Sequence, residues 1–482
     1  MILVVDIGTT STRVAALRID GTVELVRSAP TPPATPFPGL VEFDAAALAS
    51  TLLELARGVI DEVGPVDAVG ITAQRASTIV WDRATGEPIG PGLGWQDLRT
   101  VGDCMSIAAE HGVTVAPNQS ATKAAWILDQ FPSSRERDLC VGTVDSWAAW
   151  TLSAGQLHVT DVSNAAVTGW FSAEHHRWDD RLCSLFRVPI TMLPTIVDSI
   201  GVIGTADALP GSPPIAALIG DQQSSLAGQG CVRPGDAKIT FGTGGMLDVC
   251  TGDDDRLVRS GRRSDAGCFG IIAWAHDGVP TFGAEAIMLS AGSNVDWLRD
   301  DLGLISSSSE SHDLAATCSD TAGVVYVPAP LGLGTPHWDY GARGSLFGLT
   351  RGTTRAHVVR AVLEGVAQRG ADLVEAAEAD TSLTLRTLRI DGGMSANPTF
   401  VQALANAAQR PIEVAQHAES TMIGAGLLAG VGSGAIDGVA SLADLWQPLR
   451  VVEPNGAADR AVWAAAIERS RRWIPELSAL DF

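Results

Sequence analysis

Lysine is almost missing from this chain of 482 residues: Lys123 and Lys238 are the only two. Neither lies in G-x-x-x-x-G-K-[ST], so there is no P-loop and any nucleotide phosphates must be held another way. Basic residues as a class number 33 against 55 acidic ones, and the formal charge of -22 repels nucleic-acid backbones and anionic lipid heads. No nucleic acid and no membrane surface is expected as a partner; small ligands are. The seven cysteines, Cys104, Cys140, Cys183, Cys231, Cys250, Cys268 and Cys318, are odd in number and show no C-x-x-C spacing. That argues against a disulfide scaffold or a zinc site and for a reducing, cytoplasmic setting. No apolar run reaches membrane-spanning length, and the opening MILVVDIG reads as a strand entering a turn rather than a leader with a basic n-region.

What is present is ample core and a repeated local pattern. A hydrophobic fraction of 46% with 18% charged residues describes a globular chain, and its length suits two large domains or a duplicated unit. Two glycine-threonine turns, each preceded by a short apolar strand, lie more than two hundred residues apart: Asp6-Ile7-Gly8-Thr9-Thr10-Ser11 and Phe241-Gly242-Thr243-Gly244-Gly245. Glycine lets backbone approach an anion closely, and Thr and Ser add hydroxyl donors beside the N–H groups. The pair therefore reads as a two-jawed phosphate clamp.

Around each turn the grammar repeats. Residues 2–5 and 13–19 flank the first turn as strands, Asp44–Val63 has helical spacing, and Val66–Thr72 and Ser77–Trp81 are strand candidates. In the second half, Lys238–Thr240 and Met246–Cys250 flank the turn and Phe269–Trp274 offers a third strand. Helices are expected at Ala284–Leu302 and Thr354–Ala379, a strand at Leu385–Ile390, a helix with Pro near its first turn at Pro398–Ala408, a strand at Ile412–Val414 and a small-residue helix at Thr421–Gly430. The reading is a duplicated α/β chain, with halves 1–228 and 229–482 facing across a cleft and a hinge at Gly228–Gly230.

Phosphoryl transfer needs aligned reactants, a metal to spread charge and a base for the accepting hydroxyl. Asp6 ends the first strand and could hold magnesium or initiate an Asx turn. Asp221, in Gly220-Asp221-Gln222-Gln223, could take a hydroxyl proton or cap a helix. Gly392-Gly393 could admit a base or ribose, or simply turn a strand into a helix.

Eight segments in order resemble the FGGY carbohydrate kinase family, its glycerol kinase branch in particular: DIGTTSTR at Asp6–Arg13, GITAQR at Gly70–Arg75, GTVDSW at Gly142–Trp147, HVTDVSNA at His158–Ala165, GDQQSSLAGQ at Gly220–Gln229, FGTGG at Phe241–Gly245, GLTRGTTRAH at Gly348–His357 and DGGMSAN at Asp391–Asn397. The resemblance implies an actin-like, ribonuclease H-like duplication, with a small polyol or sugar bound by the first domain and ATP with Mg²⁺ mainly by the second. It implies Asp221 as general base and Asp6, with Asp221, at the metal. Thr9, Thr10, Ser11 and Arg13 would meet the phosphates from the first jaw and Gly242 and Thr243 from the second. Gly292, Asp296, Gly393 and Asn397 would line the nucleotide pocket, and Arg75, Trp95, Asn118, Gln222 and Met246 the acceptor. A homodimer or homotetramer is implied as well.

The acceptor residues depart from the glycerol kinase pattern. Ala76 stands where a Glu usually follows the Arg, Asn118 where a Tyr does, and Met246 where a Phe does. These changes remove bulk and a carboxylate partner, so the expected acceptor is a longer polyol or a ketose. An actin-like nucleotide switch with no sugar substrate is the alternative; Arg75, Trp95 and the Asp221-Gln222 pair, aimed at one small pocket, speak against it.

Overall fold

The computed structural model describes residues 1–417 and 419–480. The opening meander forms as the apolar runs predict: β1 (Ile2–Ile7) and β2 (Ser11–Leu17) are antiparallel across the first Gly-Thr turn, and β3 (Val23–Pro30) continues them. Helix α1 (Ala45–Val63) starts at Asp44, whose side chain accepts from the Ala46 and Ala47 N–H groups. Its buried stripe Leu48, Leu52, Ala56, Val59 and Ile60 packs on Leu3, Val5 and Ile7 of β1. The alternate residues Ile2 and Val4 face the other way, into a second core. A strand covered on both sides reads as one continuous apolar run, which is why β1 shows no polar alternation.

Strand β4 (Ala68–Ala73) lies parallel to β1. Helix α2 (Ser120–Gln130) belongs to a separate apolar cluster beside a four-stranded sheet that includes Thr78–Asp82 and Leu139–Thr143. Strands β5 (Ile200–Thr205) and β6 (Pro214–Gly220) follow, β6 parallel to β4 and leading into α3 (Asp221–Gly228).

The second half repeats this order. Strands β7 (Ala237–Phe241), β8 (Gly245–Gly252), β9 (Phe269–His276) and β10 (Val279–Met288) precede the long helix α4 (Arg355–Thr381). Then come β11 (Leu388–Asp391), α5 (Pro398–Ala408), β12 (Ile412–Ala415), α6 (Ser420–Gly432) and β13 (Pro448–Val452). The main sheet has 13 strands, in the order β13-β12-β11-β7-β8-β10-β9-β5-β6-β4-β1-β2-β3. In the first half β1 is antiparallel to β2, β2 to β3, and on its other side β1 is parallel to β4 and β4 to β6. Around β7 the same relations recur with β8, β10, β11 and β12. The duplication is thus visible strand by strand. The halves join where Ile200 of β5 pairs with His276 of β9.

Helices α3 and α6 cross at the back of this join. A Cβ on Gly424 would lie 1.8 Å from the Ser224 carbonyl oxygen, and one on Gly228 2.0 Å from that of Ser420. Only glycine allows backbones this close. Because α6 supplies Met422, Ala425 and Leu428 to the core beneath β1, chain from the second half closes the core of the first.

The expected helix at Ala284–Leu302 is not found. Residues Val279–Met288 are strand β10, inserted between β8 and β9, and only Ser293–Asp296 and Trp297–Asp301 beyond it are helical turns. Ala, Glu and Met favour helix, but this segment is paired along both edges and buried at Phe282, Ala284 and Ala286, and tertiary pairing overrides so weak a preference. The omitted signal is Asp277-Gly278. Both residues have positive φ, 51° and 74°, as a tight two-residue hairpin turn requires.

Candidate active site

Parallel strands bring distant sequence together at their carboxyl ends, where ligands bind in open α/β sheets. Ile7, Ala73 and Gly220 are register partners across β1, β4 and β6, so the first Gly-Thr turn, Arg75 and Asp221 leave the sheet side by side. In the second half Thr240 pairs with Asp391, so the second turn and Gly392-Gly393 leave together.

At the first turn, the Gly8 N–H donates to the Ser11 carbonyl at 3.0 Å, and the Thr9 hydroxyl accepts from the Trp95 indole N–H at 3.1 Å. The proposed phosphate turn and the acceptor wall are therefore linked directly. Asp6 lies beneath, almost fully buried, with Arg13 Nη2 2.5 Å from its Oδ2. The other Arg13 nitrogen, Nη1, pairs with Glu419 at the start of α6. Burial pushes the Asp6 carboxyl up to about 6 against the pull of Arg13, and the charges of Asp221 and Glu419 push in the same direction as burial. A buried carboxyl whose proton affinity is raised by neighbouring carboxylates is an arrangement that a cation relieves, and magnesium is commonly held by one or two carboxylates plus phosphate oxygens. Asp6 and Asp221 fit such an ion.

At the second turn, the Gly292 N–H donates to the Gly242 carbonyl and the Ala291 N–H to that of Thr243, both at 2.8 Å. A Cβ on Gly292 would stand 2.6 Å from the Gly242 oxygen, so this glycine is needed for packing of the turn itself. Gly393 differs: nothing lies within 4 Å of its would-be Cβ, and its backbone is open to a ligand. Asn397 caps α5, accepting from the Phe400 N–H at 3.1 Å, while its Nδ2 donates to the Ser311 hydroxyl at 2.9 Å. Asp296 is half exposed and paired with Arg299 at 3.1 Å.

The residues expected to line the acceptor include charged groups. Asp221 is not a helix cap: the cap position is Gly220, and the Asp221 carboxylate accepts only the N–H of Gln222, at 2.8 Å. Arg75 Nε stands 3.6 Å from Asp221 Oδ1, and Arg75 Nη2 donates to Glu285 Oε2 at 2.6 Å, so the guanidinium spans the two halves. Its third nitrogen, Nη1, is buried without a partner. Burial raises the Asp221 carboxyl above its ordinary range, opposed first by Arg75; Glu285 is raised by burial too. Trp95 remains over a third exposed, at 38%. Met246 is half-buried on β8, on the same sheet face as Asp248 two residues on. Ala76 sits at φ 62°, with its carbonyl accepting from the hydroxyls of Thr78 and Ser120.

Four residues escaped the sequence reading. Glu285 fell inside the misassigned helix. Lys238, Asp248 and Glu285 are opposite one another in register across β7, β8 and β10, a charged row under the acceptor site that no sequence spacing shows. Lys123, on α2, is wholly buried and donates to the Trp95 and Asn118 carbonyls at 3.3 and 2.9 Å. Both lysines of the chain thus stand behind acceptor residues. Their rarity was the available signal.

Residues 1–228 match the model of the N-terminal domain of the FGGY family of carbohydrate kinases, and residues 237–433 that of its C-terminal domain. The chain is 40% identical to a glycerol kinase of Rhodopirellula baltica, covering 100% of this chain and 92% of that one. It is 41% identical to a glycerol kinase of Aromatoleum aromaticum, covering 98% and 99%. Among solved structures, Plasmodium falciparum glycerol kinase with ADP superposes with a TM-score of 0.90 at 29% identity, over 98% of both chains. A xylulose kinase from Rhodospirillum rubrum shares the fold, at a TM-score of 0.82 and 23% identity over 99% and 98% of the two chains.

Proposed function

Because the chain belongs to the FGGY family of carbohydrate kinases, we propose that it transfers the γ-phosphoryl group of ATP to a hydroxyl of a small polyol or sugar, with Asp221 as general base. The observation that carries this reading is Arg75 Nη1, a buried donor with no partner, beside a carboxylate whose proton affinity is raised. An acceptor oxygen on Nη1 would satisfy that donor and leave a neighbouring hydroxyl for Asp221.

In this mechanism Trp95 packs against the carbon chain, while Arg75, Asn118, Gln222 and Met246 complete the pocket. Asp221 takes the hydroxyl proton. Thr9, Thr10, Ser11 and Arg13 hold phosphate oxygens from one side, and Gly242 and Thr243 from the other. Gly292, Asp296, Gly393 and Asn397 border the nucleotide; Gly393 contributes open backbone, and Asn397 contributes a fixed helix start. Asp6 and Asp221 would hold Mg²⁺, which would supply charge neutralisation on the phosphates. Lobes 1–228 and 229–482 close about Gly228–Gly230 to exclude water and align acceptor and donor.

The preferred acceptor is longer than glycerol. With Ala76 in place of a carboxylate, and Asn118 and Met246 lining a wider space, a glycerol hydroxyl loses a partner worth about 1–3 kcal/mol. A kinetic panel tests this: kcat/KM for erythritol, threitol, pentitols or ketoses is expected to exceed that for glycerol. Glycerol as the best substrate would overturn the wider-pocket reading. ATP consumption that no polyol or sugar stimulates would overturn the kinase reading itself.

A further inference from the structure

Lys238 and Asp248 form an ion pair at 2.7 Å with neither side chain exposed. Burying two charges is expensive, and well-packed apolar residues commonly replace such a pair without loss of stability. Here the pair is placed where it acts on the acceptor site. Lys238 Nζ donates hydrogen bonds to the Gln222 side-chain oxygen at 2.9 Å and to the Thr240 hydroxyl at 3.0 Å. An ammonium has three donors and no acceptor; two of its N–H groups meet Gln222 and Thr240, Asp248 faces it as a charge partner with neither carboxylate oxygen hydrogen-bonded among the described residues, and the Gln222 atom facing it must be the carbonyl oxygen. That settles the direction of the amide: Nε2 points away from Lys238.

We propose that Lys238, anchored by Asp248, is a positioning residue that locks the Gln222 amide with its N–H₂ toward the acceptor, so that the site reads an oxygen lone pair at that point. The inference rests on the kinase reading above. Gln222 follows the base directly, so a fixed amide also fixes which acceptor oxygen lies next to Asp221. Arg75 Nη1 is a second donor, buried beside Nη2 that Glu285 takes and without a partner among the described residues. Two immobilised donors flanking one carboxylate suit an acceptor that offers two oxygen lone pairs beside the hydroxyl that reacts. Without Lys238 the amide is free to rotate and to present its oxygen instead.

The test compares wild type with Lys238→Met/Asp248→Leu, which removes both charges together, each with and without Gln222→Ala. The acceptor is whichever of glycerol, erythritol and xylitol wild type phosphorylates fastest. The pair swap is expected to raise acceptor KM about tenfold while kcat and the KM for ATP stay within about twofold. In the Gln222→Ala background it is expected to add nothing further, because the amide it positions is gone. Unchanged acceptor KM, or an equal rise in both backgrounds, overturns the proposal. Should the double swap not fold, Lys238→Gln is read on the same two backgrounds, since its uncharged side chain is one atom shorter and withdraws the ammonium from the Gln222 oxygen. If wild type phosphorylates none of the three, the fastest acceptor of the wider panel of threitol, pentitols and ketoses takes their place, and only if none of those is phosphorylated does the kinase reading fail, first and separately.

Discussion

Replacing Lys123 by Met should make the difference in stability between wild type and variant depend on pH, with a sign set by burial. Lys123 has no exposed surface, and burial pushes its ammonium down from 10.5 to about 7. The unfolded chain therefore binds more protons than the folded one between about pH 7 and 10.5, and stability rises with pH through that window. Below it both states are protonated and the full cost of the buried charge, up to about 5 kcal/mol, is present. Between pH 7 and 9 wild type should gain about 2 kcal/mol relative to Lys123→Met, which carries no proton in either state. Urea unfolding of both proteins at the two pH values gives the difference of differences, and every other titrating group cancels. The variant also loses the donors to the Trp95 and Asn118 carbonyls, a constant offset of about 1–3 kcal/mol per orphaned group that does not affect the slope. A gap between the two proteins that stays constant from pH 7 to 9 would refute the reasoning: Lys123 would then titrate alike in both states.

Four other substitutions probe the site. Asp221→Asn should cut phosphoryl transfer by at least about 100-fold with ATP affinity by calorimetry unchanged; turnover near wild type would remove Asp221 from the role of base. Gly292→Ala should weaken ATP binding and lower the melting temperature together, because its Cβ would meet the Gly242 oxygen at 2.6 Å, whereas Gly393→Ala, with nothing within 4 Å, should weaken ATP binding alone. Matching stability losses in the two would contradict that contrast. Glu285→Gln keeps a hydrogen-bonding oxygen for Arg75 but removes its counter-charge, and should raise acceptor KM about tenfold without changing the KM for ATP; an effect on ATP instead would place the Arg75–Glu285 pair elsewhere in the mechanism.

Elements whose signals are local were legible in the sequence. Asp44 before an apolar stripe marks α1, Pro398 marks the start of α5, and the strand-turn-strand at each Gly-Thr turn marks β1–β2 and β7–β8. Strand β10 was not, because its composition favours helix and only pairing with β8 and β9 makes it a strand. The candidate site divides the same way. Asp6, Arg75, Asp221 and Gly393 sit at strand ends and are marked by short motifs. Lys238, Asp248 and Glu285 owe their roles to register across three strands, and Lys123 to a helix packed behind two loops, relations that distances in sequence do not encode.

The burial of both lysines has a consequence for the chemistry of the outer surface. Beyond the backbone amine at Met1, the folded chain presents no primary amine, because its exposed positive charge is carried by arginine. Acylating reagents, amine-directed cross-linkers and lysine-modifying enzymes find no side chain to attack until the protein opens. One lysine lies in each half, so the rates at which Lys123 and Lys238 become labelled report separately on how often each lobe comes apart. Equal rates would mean that the lobes open as one unit, and unequal rates that one lobe yields first.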